Sequence, residues 1–107
     1  MEIADLMRDV HETAKEKGWH DHPRTIGDFI ALCHSELSEA LEEYRHRDLH
    51  SISLFGEKPE GFIFEIADTI IRLLDMCAFL NLDVEEALRL KTEYNKTRPY
   101  RHGGKRL

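Results

Sequence analysis

The sequence has few of the features that mark secreted, membrane-spanning or nucleic-acid-binding proteins. It contains only two cysteines, Cys33 and Cys77, without the spacing of a disulfide framework or a zinc site, so we expect free thiols. No apolar run approaches the roughly 20 residues of a membrane span, and no secretory signal opens the chain, which predicts a cytoplasmic protein with no membrane partner. The net charge of -6 argues against a nucleic-acid partner, because phosphate binding needs a basic surface.

Glycine and proline are also scarce, and they separate four segments in which apolar residues recur at helical spacing. The predicted helices cover about residues 2–17, 26–47, 62–81 and 84–96. Thr25 and Asp83 are expected to cap the second and fourth helices. The size suits one domain over residues 1–107. The expected fold class is therefore all-α, as a compact four-helix bundle.

The segments outside these helices are a loop and a tail. Residues 48–61 are predicted to form a loop, because the alternation over residues 51–54 is too short to predict a sheet. A loop of this length is often functional. Residues 98–107 form a basic tail after the fourth helix.

The third predicted helix carries a narrow charged strip on an otherwise apolar surface. At 100° per residue, Glu65, Asp68, Arg72 and Asp75 fall within one sector of about 80°. Apolar side chains cover most of the remaining circumference, which predicts a helix that is buried on most sides in a bundle or an oligomer. The charged strip would then lie between buried neighbours.

The second predicted helix has a matching acidic face. Glu36 and Glu39 lie one turn apart on it, beside a separate apolar stripe. If the two strips face each other, Glu36, Glu39, Glu65 and Asp68 converge across one groove. Four carboxylates at short range stay ionised only when a cation offsets them, and all-oxygen ligation suits Mg²⁺ or Mn²⁺.

The alternative is that these carboxylates have no function beyond solubility. On that interpretation the glutamates of the second helix form a solvated face, and Arg72 pairs with Asp68 or Asp75 at the surface. An E-x-x-E or E-x-x-D spacing alone is common in any Glu-rich helix. Periodicity alone leaves both interpretations open.

The combination of motifs is more specific than either alone. Residues 36–39 (Glu-Leu-Ser-Glu) and 65–68 (Glu-Ile-Ala-Asp) resemble the E-E-x-x-E and E-x-x-D signature of the MazG-like all-α nucleotide pyrophosphohydrolases, which include dimeric dUTP and dCTP pyrophosphatases. The likeness extends to residues 17–19, 58–61 and 93–100. Ser35 departs from the signature, because the family has a Glu at that position, and this puts the number of bound ions in doubt.

The resemblance implies an enzyme that converts a nucleoside triphosphate and water into the monophosphate and pyrophosphate. Glu36, Glu39, Glu65 and Asp68 would hold Mg²⁺, with Mn²⁺ as a substitute, and a metal-activated water would attack between the α and β phosphates. Glu39 and Glu36 are the candidate catalytic carboxylates, with Glu39 the preferred general base.

Substrate-binding residues are expected at both ends of the chain. Trp19 is a candidate for stacking on the base, and His11 lies two turns before it; the resemblance assigns the base to a His and a Trp of this region. The basic end of the fourth helix offers Lys91, Asn95, Lys96 and Arg98 for phosphate. Each position also has a non-functional interpretation. Trp19 could be packed in the core, His11 could be an exposed histidine without a role, and the basic end of the chain could be a solvated terminus. The remaining histidines show no metal-ligand spacing.

The main alternative function is a non-catalytic helical interaction module with an acidic groove. In either case the third helix is too apolar for a small monomer to bury, which predicts a homodimer or homotetramer formed through an apolar helix face. The resemblance adds that the family commonly builds its site near such an interface.

Overall fold

A computed structural model describes residues 2–54 and 58–106, apart from the side chain of His102, and it is all-helical with almost no strand. Four helices follow one another in the chain, and a single helical turn lies in the basic tail. Their bounds are α1 Ile3–Glu16, α2 Ile26–His46, α3 Phe62–Phe79, α4 Val84–Lys96 and α5 Arg101–Gly104. The four predicted helices are therefore confirmed to within about two residues at each end.

Helix α3 lies between two neighbours. It packs against α2 along one side and α1 along another, whereas α4 packs against α1. The backbone N–H of Ala4 near the start of α1 donates to Glu85 Oε1 of α4 at 3.0 Å, which joins these two helices. The acidic strips of α2 and α3 thus belong to a directly packed pair of helices. In the described residues, no helix is both long and apolar enough to cross a membrane.

The helix ends follow local chemistry that the sequence predicts. Thr25 Oγ1 accepts from the N–H of Asp28 and the Asp28 carboxylate accepts from the N–H of Thr25, which completes a capping box. Asp83 accepts from the N–H of Glu86 and begins α4. Asn81 has a φ of 57°, a left-handed conformation that Asn tolerates, and α3 ends before it.

The prediction that residues 48–61 contain no sheet is wrong in one detail. Strand β1, Ile52–Ser53, pairs antiparallel with β2, Glu60–Gly61, so that Ile52 lies opposite Gly61. The close pairing requires glycine, because Gly61 has a φ of 144° and a Cβ there would lie 2.6 Å from the backbone oxygen of Ser51. The short ladder fixes the start of α3.

The outer faces of α2 and α3 remain uncovered in the single chain. On α3 the buried residues are Glu65, Thr69 and Leu74, while Ile63 and Ile70 are about half exposed. Leu37 and Leu41 on α2 are exposed to a similar extent. The prediction that α3 is buried on most sides therefore does not hold within one chain, because its polar strip faces α2 and part of its apolar surface faces outward.

We expect Gly61→Ala to lower the free energy of unfolding by about 1 to 3 kcal/mol, because alanine combines an unfavourable φ with a clash against Ser51. Gly27→Ala is the matched control. Its nearest neighbour would be Thr25 Oγ1 at 3.5 Å, an ordinary contact, so its effect should stay within about 1 kcal/mol. Urea unfolding followed by circular dichroism measures both. Equal stability of the two variants would contradict a tight β1–β2 junction.

Candidate functional site

Three of the predicted metal-binding carboxylates meet between α2 and α3. One oxygen each from Glu36, Glu65 and Asp68 lies within 4.8 Å of the others. Glu36 and Glu65 are buried, and Asp68 is half-buried. Glu65 and Asp68 share a face of α3 because residues three apart lie one above the other on a helix. The buried glutamates exclude the alternative in which Glu36 belongs to a solvated face.

Glu39, the fourth predicted ligand, lies at the exposed edge of this cluster. Its carboxyl group is within hydrogen-bonding reach of Glu65. The helical spacing that separates Glu36 from Glu39 therefore brings the first into the buried interface and leaves the second near solvent. Ser35, at the position where the family signature has Glu, is exposed, and its Oγ donates to the backbone oxygen of Ala31.

The cluster carries more negative charge than its neighbours offset. Burial first, and then the hydrogen bond and charge of Glu39, raise the pKa of Glu65 to about 7. Burial and the charge of Glu36 raise the pKa of Asp68, although Arg72 and Lys58 oppose that shift. Glu65 Oε2 is buried and has no hydrogen-bond partner among the described residues. A divalent cation would satisfy this oxygen and restore ionised carboxylates.

Arg72 is the cation that contacts the cluster directly. Its Nε donates to Glu36 Oε1 at 2.8 Å, and its guanidinium carbon lies 5.5 Å from the centroid of the Trp19 ring. The structure thus pairs Arg72 with Glu36 across α2 and α3, rather than with Asp68 or Asp75 on its own helix. One positive charge cannot offset all of the neighbouring carboxylates.

A cavity of about 240 Å³ adjoins the carboxylates. Glu36, Asp68 and Asp75 are its acidic lining residues, and the lining also includes a tryptophan and three cationic side chains. These are Lys17, Trp19, Arg24 and Arg72. Trp19 is half exposed, with the Arg24 guanidinium 5.4 Å from its ring centroid. The cavity lining therefore combines carboxylates with an aromatic ring and cationic side chains.

His11 does not line this cavity. Its Nδ1 lies 2.7 Å from Asp75 Oδ1, and His20 Nε2 lies 2.9 Å from the same oxygen. His20 and Asp75 border the cavity with Trp19, whereas His11 borders a second cavity formed by α1 and the α3–α4 junction. The two predicted base-binding residues therefore line different cavities, Trp19 the first and His11 the second.

The predicted phosphate-binding residues at the end of α4 also lie outside the cavity lining. The ammonium of Lys91 and the guanidinium of Arg98 lie over the ring of Tyr94, at 5.2 and 5.5 Å from its centroid. Lys96 Nζ donates to Glu93, and the backbone oxygen of Asn95 accepts from the N–H of Arg98. Within one chain, the structure does not bring these residues to the carboxylates.

The sequence did not indicate that Lys17 and Arg24 line the cavity, or that a histidine contacts Asp75. Lys17 and Arg24 follow α1 and precede α2, in a segment without periodicity, so no spacing rule relates them to α3. His20 likewise meets Asp75 only through tertiary packing. Asp75 belongs to the charged strip of α3, so the sequence did indicate that it lies on the same face of the helix as Glu65 and Asp68.

Comparison with models of protein families, with curated proteins and with solved structures gave no match to this chain.

We expect the stability of the wild-type protein, without divalent ions, to fall relative to Glu65→Gln as pH rises. The unfolded chain releases the Glu65 proton near the ordinary pKa of 4.5, whereas the folded chain holds it to about 7. Between these values the folded state binds more protons, so raising the pH lowers its free energy of unfolding. The difference between wild type and variant should change by roughly 1 to 3 kcal/mol across this window.

Urea unfolding in chelator at about pH 5 and about pH 8 measures this difference on either side of the window. Glu93→Gln, at an exposed position on α4, is the control and should follow the wild type. Parallel pH profiles for wild type and Glu65→Gln would show that Glu65 ionises normally and would contradict a crowded cluster.

Proposed function

We propose that this protein is a Mg²⁺-dependent nucleoside triphosphate pyrophosphohydrolase of the MazG-like type, which converts a ribo- or deoxyribonucleoside triphosphate and water into the monophosphate and pyrophosphate. The observation that carries the proposal is the convergence of Glu36, Glu65 and Asp68 from two packed helices. The unpartnered Glu65 oxygen and the raised pKa of Glu65 support it, because both indicate a site with uncompensated negative charge.

The donor set fits Mg²⁺, with Mn²⁺ as a substitute. Glu36, Glu39, Glu65 and Asp68 offer only carboxylate oxygens, which are the ligands of hard divalent ions. When bound, such an ion supplies charge neutralisation for the phosphates and a lower pKa for a coordinated water. The residues that would hold it lie on rigid helices, which limits the reorganisation that binding requires.

The four carboxylates differ in ways that suit different roles. Glu36 Oε1 accepts a hydrogen bond from Arg72 Nε at 2.8 Å, which fixes the carboxylate in position. Glu36 is therefore suited to the role of a metal ligand. Glu39 lies at the exposed edge within reach of Glu65, so it can accept the proton of the attacking water and share it. The water oxygen would bond to one of the two phosphorus atoms as the oxygen bridge between the α and β phosphates breaks, and the monophosphate and pyrophosphate would leave. Glu39 remains the preferred general base.

The adjoining cavity supports nucleotide binding. Trp19 is half exposed and lines the cavity, so a base can stack on its ring if it displaces the guanidinium of Arg24 or Arg72 that lies over it. Lys17 and Arg24 line the same cavity as candidates for phosphate contacts. Its volume of about 240 Å³ is slightly below that of a typical small-molecule site, so further groups are needed to enclose a nucleotide. We propose that the side chains of a second subunit contact the phosphates of the substrate, namely Lys91, Asn95, Lys96 and Arg98. We also propose that His11 does not contact the base and acts on it only through Asp75 and His20.

A homo-oligomer is part of this proposal. The chain exposes 8487 Å² of surface, whereas a folded monomer of its mass exposes about 6,200 Å². Its radius of gyration of 16.5 Å also exceeds the value of about 13 Å for a domain of this length. The excess of roughly 2,300 Å² per chain corresponds to about 4,600 Å² for two copies, which falls within the range that obligate homodimers bury. The exposed apolar faces of α2 and α3 are the surface that a second copy would cover.

We therefore expect light scattering with size-exclusion chromatography to give the mass of a dimer or tetramer. Charged substitution of the α2 face, as Leu37→Glu with Leu41→Glu, should yield a smaller species, because it places carboxylates in the buried interface. Leu82→Glu is the control, since Leu82 is similarly exposed but lies in the turn between α3 and α4. A wild-type monomer would contradict the oligomer.

The catalytic proposal predicts that the purified protein releases monophosphate and pyrophosphate from one or more nucleoside triphosphates when Mg²⁺ or Mn²⁺ is present. Glu36→Gln and Asp68→Asn should lower kcat/KM by about a hundredfold or more, because each removes a charged ligand. Glu42→Gln, at an exposed position on α2, should retain activity. Ion chromatography of a panel of canonical and modified nucleotides, with and without chelator, identifies the products.

The alternative function is a non-catalytic interaction module with an acidic groove. Folded wild-type protein that hydrolyses no nucleotide in that panel would favour this alternative. Release of orthophosphate and the nucleoside diphosphate, instead of pyrophosphate and the monophosphate, would contradict the proposed bond cleavage. The protein would then still be a metal-dependent hydrolase.

A further inference from the structure

A second group of metal-binding side chains lies outside the carboxylate cluster. His11 comes from α1, His20 from the segment between α1 and α2, and Asp75 from α3. One ligand atom from each lies within 4.8 Å of the others. His11 Nδ1 is 2.7 Å from Asp75 Oδ1, and His20 Nε2 is 2.9 Å from each Asp75 carboxylate oxygen. Three separate elements thus direct two imidazoles and one carboxylate to a single point.

We propose that His11, His20 and Asp75 form a second metal site, which binds a divalent transition-metal ion of the Zn²⁺ class. Imidazole nitrogen combined with one carboxylate oxygen is a ligand set that such ions prefer, whereas Mg²⁺ prefers oxygen ligands. The Asp75 carboxylate supplies a negatively charged ligand beside the two imidazoles, which suits a cation. Metal binding at this site can be measured without the proposed hydrolase activity, although His20 and Asp75 also border the cavity that contains Trp19.

Packing holds the ligands in position before an ion binds. The exposed fractions of the His11, His20 and Asp75 side chains are 19%, 9% and 13%. His20 stacks on Phe79 with ring centroids 4.9 Å apart and planes 8° from parallel, and the edge of His11 approaches His20. Zn²⁺ holds its ligand atoms about 3.3 Å apart, so the two imidazole nitrogens that lie 2.7 and 2.9 Å from Asp75 Oδ1 would move outward from it by only about 0.5 Å when an ion binds.

The cluster is open to ions from two sides. His20 and Asp75 border the cavity that contains Trp19, and His11 borders the second cavity, which also includes Met7 and Arg8. Three protein ligands next to open space leave room for water as a fourth ligand, the arrangement of zinc sites that are not purely structural.

The second site is distinct from the carboxylate site by position. Asp75 lies seven residues after Asp68 on α3, which corresponds to about 10 Å along the helix axis. An ion held by Asp75 therefore shares no ligand with an ion held by Asp68. The two sites differ in ligand chemistry, and their occupancy can be measured separately.

The experiment uses the full chain with Glu36→Gln and Asp68→Asn, which removes cation binding at the carboxylate site, after treatment with chelator. Co²⁺ and Zn²⁺ are the probes. We expect one equivalent of Co²⁺ to give visible d–d absorption that Zn²⁺ abolishes, and Zn²⁺ to raise Tm by mass action. Lack of thiolate-to-metal charge-transfer absorption will exclude Cys33 and Cys77 as the ligands.

In the same background, His20→Gln and Asp75→Asn should each weaken Co²⁺ binding by at least about tenfold, because each removes a ligand. His34→Gln, at an exposed histidine on α2, is the control and should bind as the parent does. His11→Gln changes the most exposed ligand, so it carries the test if Asp75→Asn fails to fold.

Two results would overturn the proposal. Saturable Co²⁺ binding that His11→Gln and His20→Gln leave unchanged would place the ion elsewhere. Failure of the parent to bind Co²⁺ or to gain stability from Zn²⁺ would show that the cluster is only a hydrogen-bond network between α1 and α3.

Discussion

The structure depends on carboxylates that two packed helices hold at close range. Helices α2 and α3 gain stability by burying surface, yet the surface between them includes Glu36, Glu65 and Asp68 within 4.8 Å. Arg72 relieves part of the repulsion through Glu36, and a raised pKa at Glu65 relieves part of the rest. A cation between the helices is the remaining way to keep all the carboxylates ionised. This unbalanced charge between α2 and α3 is the basis of the proposed cation site.

The direction in which the charged strip of α3 faces also determines which apolar residues are exposed on the surface of the chain. Because α3 directs Glu65 and Asp68 toward α2, part of its apolar circumference faces outward, as Ile63 and Ile70 do. The apolar stripe of α2 is exposed for the same reason. The buried carboxylates inside the helix pair, where we propose a cation site, and the apolar surface outside it are thus two results of one sequence pattern. This connection is why the proposed activity and the proposed oligomer belong together.

Much of the fold was predictable from local signals. The capping box at Thr25, the cap at Asp83 and the spacing of apolar residues predicted the four helices, because each depends on neighbours within a few residues. The β1–β2 ladder was not predicted, since its two-residue strands depend on a close approach at Gly61 that no periodicity reveals. The proximity of Glu36 to Glu65 was predictable only by assuming that two acidic strips face each other. Contacts such as His20 with Asp75 arise from packing between distant segments and leave no spacing in the sequence.

Cation binding by the wild-type chain tests the central claim most directly. Electron paramagnetic resonance of Mn²⁺ titrated into chelator-treated protein, without nucleotide, counts bound ions and is independent of catalysis. The account predicts saturable binding that Mg²⁺ displaces and that combined Glu65→Gln and Asp68→Asn abolishes while the protein stays folded. Weak binding that does not saturate, or that is the same in the double variant, would show that the buried carboxylates of α2 and α3 do not form a cation site.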